Sequence, residues 1–260
     1  MAKRRRTAAT GLGARLLTEC PEPRRACRTG WLALVLLMLF CRIGSAESTE
    51  QTEFLPEISA YLKLNPYIRV SFMAKDTREG GDSTEAEIGP SVEFYLKPLI
   101  KLKRINAFDL DDAKSRPLVL TAGYNFVSTP NSPSTNRMIV AATNHLPIKA
   151  DLLLTDRNRA DLDWSNGAFT WRYRNMPSLQ RTFTIHSYHL IPYASAEFYY
   201  ESQYSKFSTT ELYAGTYLPL GKHLQFDPYY EHQNNTGKKP NKQVNILGLT
   251  LNLYFSKEGH

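Results

Sequence analysis

From residue 58 onward the chain alternates between apolar and polar positions in segments of about ten residues, separated by Gly, Pro, Asn, Asp or Ser, the signature of strands whose two faces meet different surroundings. The last segment shows it most fully. Leu247, Leu249, Leu251, Leu253 and Phe255 share one face, and Gly248, Thr250, Asn252 and Tyr254 share the other, with no charge between Val244 and Phe255. Leu118, Leu120, Ala122, Tyr124 and Phe126 alternate with Thr121, Gly123 and Asn125 in the same way, and Leu212, Ala214, Thr216 and Leu218 with Glu211, Tyr213, Gly215 and Tyr217. Candidate strands lie near 58–73, 84–97, 117–127, 136–146, 149–164, 168–177, 182–201, 208–218, 222–233 and 243–255. The first holds Pro66 and the seventh Pro192, so each reads equally as two strands or as one bulged strand. The pattern predicts an all-β chain: a closed antiparallel transmembrane β-barrel of about ten strands, with twelve as the alternative. Between strands, 74–83 reads as an exposed polar loop. Residues 99–116 form the longest charged connection, with Lys101, Lys103, Arg104, Asp109, Asp111 and Asp112. There the Leu99-Ile100-Leu102-Ile105 spacing also allows a short helix at the membrane surface, but a loop is the better reading.

A different pattern precedes the strands. The apolar run WLALVLLMLF, 31–40, follows a basic stretch and is followed by the small residues Gly44-Ser45-Ala46, the layout of a secretory signal peptide. Its core is too short for a spanning helix, which takes about 20 residues. Cleavage after Ala46 is expected, giving a signal peptide at 1–46 and a single barrel domain at 47–260 with no linker inside it.

Composition changes meaning once the leader is set aside. Of 32 basic residues nine precede residue 47, and of 25 acidic residues two do, so 23 of each remain and the net +7 vanishes. That removes the charge argument for nucleic-acid binding. Cys20, Cys27 and Cys41 all lie in the leader, so the remainder holds no disulfide and no thiolate metal site. The 15 Tyr suit the aromatic girdles of a membrane barrel. A soluble β-sandwich would also use aromatics.

The sharpest polar constellation is the hairpin from Asp156 to Met176, whose tip Asn166-Gly167 is a strong signal for a two-residue turn. Pairing Ser165 with Ala168 places Trp164 opposite Phe169, Asp161 opposite Arg172 and Arg159 opposite Arg174. Leu162, Trp164, Phe169, Trp171 and Tyr173 then share the outer face, and Arg157, Arg159, Asp161, Asp163, Arg172 and Arg174 the inner one. Charge is costly against lipid, so this second face is expected to line the lumen. Four arginines on neighbouring strands repel unless acids answer them, and Asp161, Asp163, Glu197, Glu201 and Glu211 stand at lumen parity. Two readings follow: a lumen filled by paired charges, or an anion-selective constriction or headgroup site, since guanidinium forks match oxyanions.

The elements DRNRADLDW (156–164) and TWRYRNM (170–176), followed by PYASAEFYYES (192–202), resemble the bacterial outer-membrane family called domain of unknown function 2490. The resemblance covers most of 50–255, and its distinctive part is the Arg-Trp-Tyr-Arg hairpin. It implies a barrel in the outer membrane of Gram-negative bacteria and no activity, cofactor or partner. Arg157, Arg159, Arg172 and Arg174 correspond as matching positions.

Barrel phospholipases place a Ser-His-Asn set on the wall, so the histidines need a separate test. His186 and Ser187 are adjacent and point to opposite faces, whereas Ser187 and His189 share one. Asn144-His145, His223 and His232 are the other candidates. His186-x-x-His189 lacks same-face geometry for a metal, and the phosphate-binding glycine frames are absent. No catalytic residue, metal site or cofactor is therefore assigned. The expected role is a structural barrel or narrow pore. The alternatives are a barrel-type phospholipase and a periplasmic β-sandwich binding protein. Expected partners are outer-membrane lipid, the barrel assembly machinery during insertion, and a small anion or lipid headgroup.

Overall fold

The computed structural model describes residues 50–96, 109–186, 188–238 and 241–257. The signal peptide and its cleavage site fall outside these residues, as do Lys101, Lys103, Arg104 and Ser187.

The alternation becomes twelve strands: β1 (Glu50–Asn65), β2 (Ile68–Glu79), β3 (Asp82–Tyr95), β4 (Leu118–Ser128), β5 (Thr135–Ile148), β6 (Leu152–Ser165), β7 (Ala168–Arg181), β8 (Phe183–Ile185), β9 (Tyr188–Glu201), β10 (Lys206–Leu220), β11 (Leu224–Asn235) and β12 (Lys242–Ser256). Each pairs with its sequence neighbours, except that β8 carries on the line of β7 and pairs only with β9, leaving eleven strands in a closed ring. An odd number of up-and-down strands leaves the first and last pointing the same way, so the seam cannot be antiparallel. β1 and β12 accordingly run parallel, from Glu50 opposite Gln243 to Lys63 opposite Ser256. The ring thus falls between the ten and twelve of the sequence reading, and closure excludes an open sandwich.

Both long candidate segments are split. The first turns over at Pro66-Tyr67, between β1 and β2. The seventh breaks at His186, with φ 58, whereas Pro192 lies inside β9 opposite Thr216. The expected loop at 74–83 is instead strand on both sides of a tight Gly80-Gly81 turn. Its polar residues misled the reading because they pair along the strands: Arg78 and Ser83 both donate to Asp76, at 2.6 Å. Of the charged connection, Asp112–Ser115 forms a 3-10 turn capped by Asp111.

The two faces of the ring differ as the period requires. Outside, Phe54, Ile58, Phe72, Phe126, Trp164, Phe169 and Leu247 are exposed, while inside, Arg69, Arg137, Asp161 and Glu197 are buried. Tyrosines take up much of the interior near β9 to β12. Tyr229 lies so close across β12 that a Cβ at Gly248 would run into its ring. A larger residue at 248 would displace it.

Candidate functional site

The hairpin of β6 and β7 forms in the expected register. Asn166 and Gly167 both take positive φ, 48 and 79, as a twist-matched two-residue turn requires. Ser165 pairs with Ala168, Asp161 with Arg172 and Arg159 with Arg174. Asp161, fully buried, is the hub: Arg159 donates to it at 2.5 Å, Arg172 at 3.3 Å, and Arg174 lies 3.6 Å away. Glu197 on β9 is the second hub, reached by Arg174 at 2.8 Å and Arg157 at 3.1 Å. Such pairs hold only where geometry and extra hydrogen bonds repay desolvation, and here each acid has more than one donor.

The network reaches further than the hairpin. Asp163 accepts from Arg137 on β5 at 2.8 Å, and Arg137 also donates to Glu87 on β3 at 3.1 Å. Asn125 on β4 completes the set, donating to Glu87 at 2.7 Å. Sequence reasoning missed Arg137, Glu87 and Asn125. The signal existed for Arg137, which alternates with exposed Met138 and Val140, but nothing local brings β3 and β5 into register across the intervening β4.

Glu201 and Glu211, expected in the same charge cluster, are buried inside but are answered by neutral donors. Gln203 donates to Glu201 at 2.6 Å. Tyr199 donates to Glu211 at 2.6 Å, and Tyr213 also donates to it. Arg174 stacks 4.4 Å over the Tyr199 ring, which ties the tyrosines to the arginine cluster.

At the opposite mouth stands a second cluster. Arg69, at the start of β2, meets Glu93 on β3 at 2.7 Å and Asp111 of the connection at 2.5 Å. Lys63 reaches Asp112 at 2.9 Å, Lys114 reaches Asp109 at 2.5 Å, and Gln225 on β11 donates to Asp109 at 2.8 Å. Lys114 also sits 3.7 Å over the Tyr217 ring. Burial, the largest influence, works against ionisation of Asp111, but the charge and hydrogen bond of Arg69 together with the Lys114 charge hold the carboxyl below its ordinary value. The described end of the connection, 109–116, thus packs onto interior side chains at this mouth.

Between the clusters lies a cavity of about 380 Å³. Arg157 and Arg159 line one side, and Ser71 and Ser91, hydrogen-bonded at 2.7 Å, line another.

On the outer face of the hairpin, in line with Trp164 and Trp171, is a polar group the sequence reading did not single out. Asp156 accepts from Asn175 at 2.8 Å and from Asn158 at 3.0 Å, and Tyr173 donates to Asn158 at 2.5 Å. The amides give this carboxylate donors on an otherwise apolar wall. The histidines do not converge. His145 is buried with Nδ1 2.8 Å from the Arg116 carbonyl, His223 meets the Tyr254 carbonyl, His232 meets Asn245, and His189 meets Thr184. Among the described residues no group of three or more His, Cys, Asp or Glu is placed to hold a metal. Nor is any described helix long and apolar enough to cross a membrane, which says nothing of crossing by strands.

No curated protein matches the chain. Among solved structures, one described as "Bacterial polysaccharide outer membrane secretin" aligns with a TM-score of 0.46 at 8% identity, covering 71% of this chain and 63% of that one, so the chain spans less than two thirds of its length. With the arginine hairpin at its centre, the segment 114–245 matches the profile of the family described as Protein of unknown function (DUF2490), and the chain belongs to that family.

Proposed function

We propose that this chain is an outer-membrane β-barrel of Gram-negative bacteria whose lumen is held shut by paired charges, a structural barrel rather than an open porin. The observation that carries the reading is the inside-out distribution of side chains. Exposed apolar residues such as Ile58, Phe72, Val140, Leu212 and Leu249 cover the outer wall, while Asp161, Glu197, Arg69 and Arg137 are buried within. Soluble monomers rarely expose contiguous apolar patches beyond roughly 300–600 Å², whereas lipid against this wall removes the penalty. Strands of 14 residues in the hairpin exceed the roughly 9–11 that a tilted strand needs to cross a bilayer. Exposed Tyr67, Phe94 and Tyr188 near one rim, and Phe126, Trp164 and Phe169 near the other, suit the two interfaces. In this reading residues 1–46 are the removed export signal, the mature protein begins at Glu47, and the assembly machinery inserts the barrel.

Refolding the purified chain in detergent and comparing gel migration before and after heating tests the barrel in a membrane-like setting. Faster migration unheated, recovery in outer-membrane fractions and silence in planar bilayers are expected. Free recovery from periplasmic extract would overturn the membrane placement, and steady conductance would overturn the shut lumen.

A further inference from the structure

We propose that the chamber beside the arginine hairpin is a binding site for a phosphate- or sulfate-type oxyanion, free or borne on a small hydroxylated molecule. The proposal rests on the shut-barrel reading and deepens it by giving the chamber an occupant.

Strand register gathers the donors. On the inner wall Thr143 on β5, Arg157 on β6 and Met176 on β7 stand side by side, and one step along the strands His145, Thr155 and Ser178 do the same. One step the other way stands Arg159, between Ala141 and Arg174. Two guanidinium groups and the hydroxyls of Thr143, Thr155 and Ser178 therefore occupy one patch on three adjacent strands, and all five residues line the chamber. Such a set of fixed donors is what an oxyanion takes: charge-assisted hydrogen bonds from planar forks, supplemented by hydroxyls.

Charge points the same way. Arg137, Arg157, Arg159, Arg172 and Arg174 share four carboxylates within ion-pair distance, Glu87, Asp161, Asp163 and Glu197, so five positive charges meet four negative ones. None of those four acids lines the chamber, whereas Arg157 and Arg159 do. Arg157 spends Nη2 on Glu197 and the Met176 sulfur, each at 3.1 Å, and its buried Nε has no hydrogen-bond partner. The side chain as a whole is about a third exposed, at 34%, so it keeps surface toward the chamber that it lines. Carboxylates do reach the chamber elsewhere, as Glu57, Glu93 and Asp111. Glu93 and Asp111 are bound to Arg69, and Glu57 accepts from Ser59 at 2.9 Å. At about 380 Å³ the chamber exceeds a single oxyanion, which leaves room for a hydroxylated body facing Ser71 and Ser91.

Titration calorimetry on the folded full-length barrel in detergent tests the site, with inorganic phosphate, inorganic sulfate and glycerol phosphate as probes and chloride at matched ionic strength as control. Saturable binding of at least one oxyanion is expected, weakened tenfold or more by Arg157→Gln. Should that variant not fold, the double change Thr155→Val and Ser178→Ala is expected to weaken binding severalfold. Inorganic phosphate or sulfate binding as tightly as glycerol phosphate marks a free ion as ligand, and tighter glycerol phosphate marks a borne group. No saturable binding of any oxyanion, or binding untouched by the folded variants, overturns the site. Conductance of the same preparation reports separately on the shut lumen, so either reading can fail alone.

Discussion

At the hairpin end of the lumen, Asp161 gathers arginines from its own strand and the next one, whereas at the far mouth Arg69 waits for Asp111, 42 positions away on a connection between strands. The chemistry is the same in both places, buried guanidinium against carboxylate. What differs is the delivery. Once the Asn166-Gly167 turn sets the register, the hairpin cluster has no freedom left and forms with the wall itself. The mouth cluster is only half built that way: Arg69 meets Glu93 directly opposite on β3, but Asp111 arrives on a segment that can also find water, so its loss frees the segment without unmaking the ring.

That difference sets the expected damage. Asp161→Ala should be the most costly change, because Arg159, Arg172 and Arg174 would face one another without their hub. Removing one partner of a buried pair costs about 3–5 kcal/mol, a large part of a folding margin of roughly 5–15 kcal/mol. The urea midpoint of the detergent-folded barrel measures it, and a loss under about 1 kcal/mol would remove the hub role. Arg69→Gln should cost less, about 1–3 kcal/mol, since freed Asp111 can swing into solvent and only Glu93 is left buried without its partner. Its mark should be local: faster proteolysis within 109–117 while the unheated band keeps its migration. Equal global destabilisation by the two variants would erase the distinction between wall-built and connection-built closure.

The same contrast explains what the sequence disclosed. Strand faces were legible because period two needs only neighbours, and the Leu247 to Phe255 alternation survives intact in β12. The cluster of Arg157, Arg159, Asp161, Asp163, Arg172 and Arg174 was legible because one turn fixes its register. Arg137 with Glu87 was not, because the pair is 50 positions apart and depends on the registers of two successive strand pairings, β3 with β4 and β4 with β5. Nor was the parallel seam, which follows from an odd strand count that hung on whether two segments split. Asp109 meeting Gln225, 116 positions on, lies beyond any local pattern. The loop expected at 74–83 failed for another reason: polar, glycine-bearing sequence also suits strands that rise beyond the apolar band, where both faces are wet.

Two smaller changes sharpen the picture at the mouth. Tyr217→Leu keeps an apolar filler but removes the ring beneath Lys114 and the stack with Tyr193, whose centroid lies 4.6 Å away. About 1 kcal/mol is expected from such contacts, read as a lower urea midpoint with the hairpin intact. No change would mean that Lys114 is held by Asp109 alone.

The smallest effect should be the response of the mouth to acid. Asp111 is pushed up by burial and pulled down further by Arg69 and Lys114 together, so its carboxyl sits below the ordinary value in the folded state. For a depressed carboxyl, the stabilisation is fully present above the unfolded value, about 3.9, and is lost only as pH falls through the lower folded value. Cleavage within 109–117 by an acid-active protease should therefore stay flat from neutral pH to about pH 5 and rise only below about pH 4. In Asp111→Asn, which keeps the shape but not the charge, cleavage should already be raised at neutral pH, with little further change on acidification. A wild-type mouth that loosened between pH 7 and 5 would show that some other group holds the connection, and Arg69 would lose its place as the anchor.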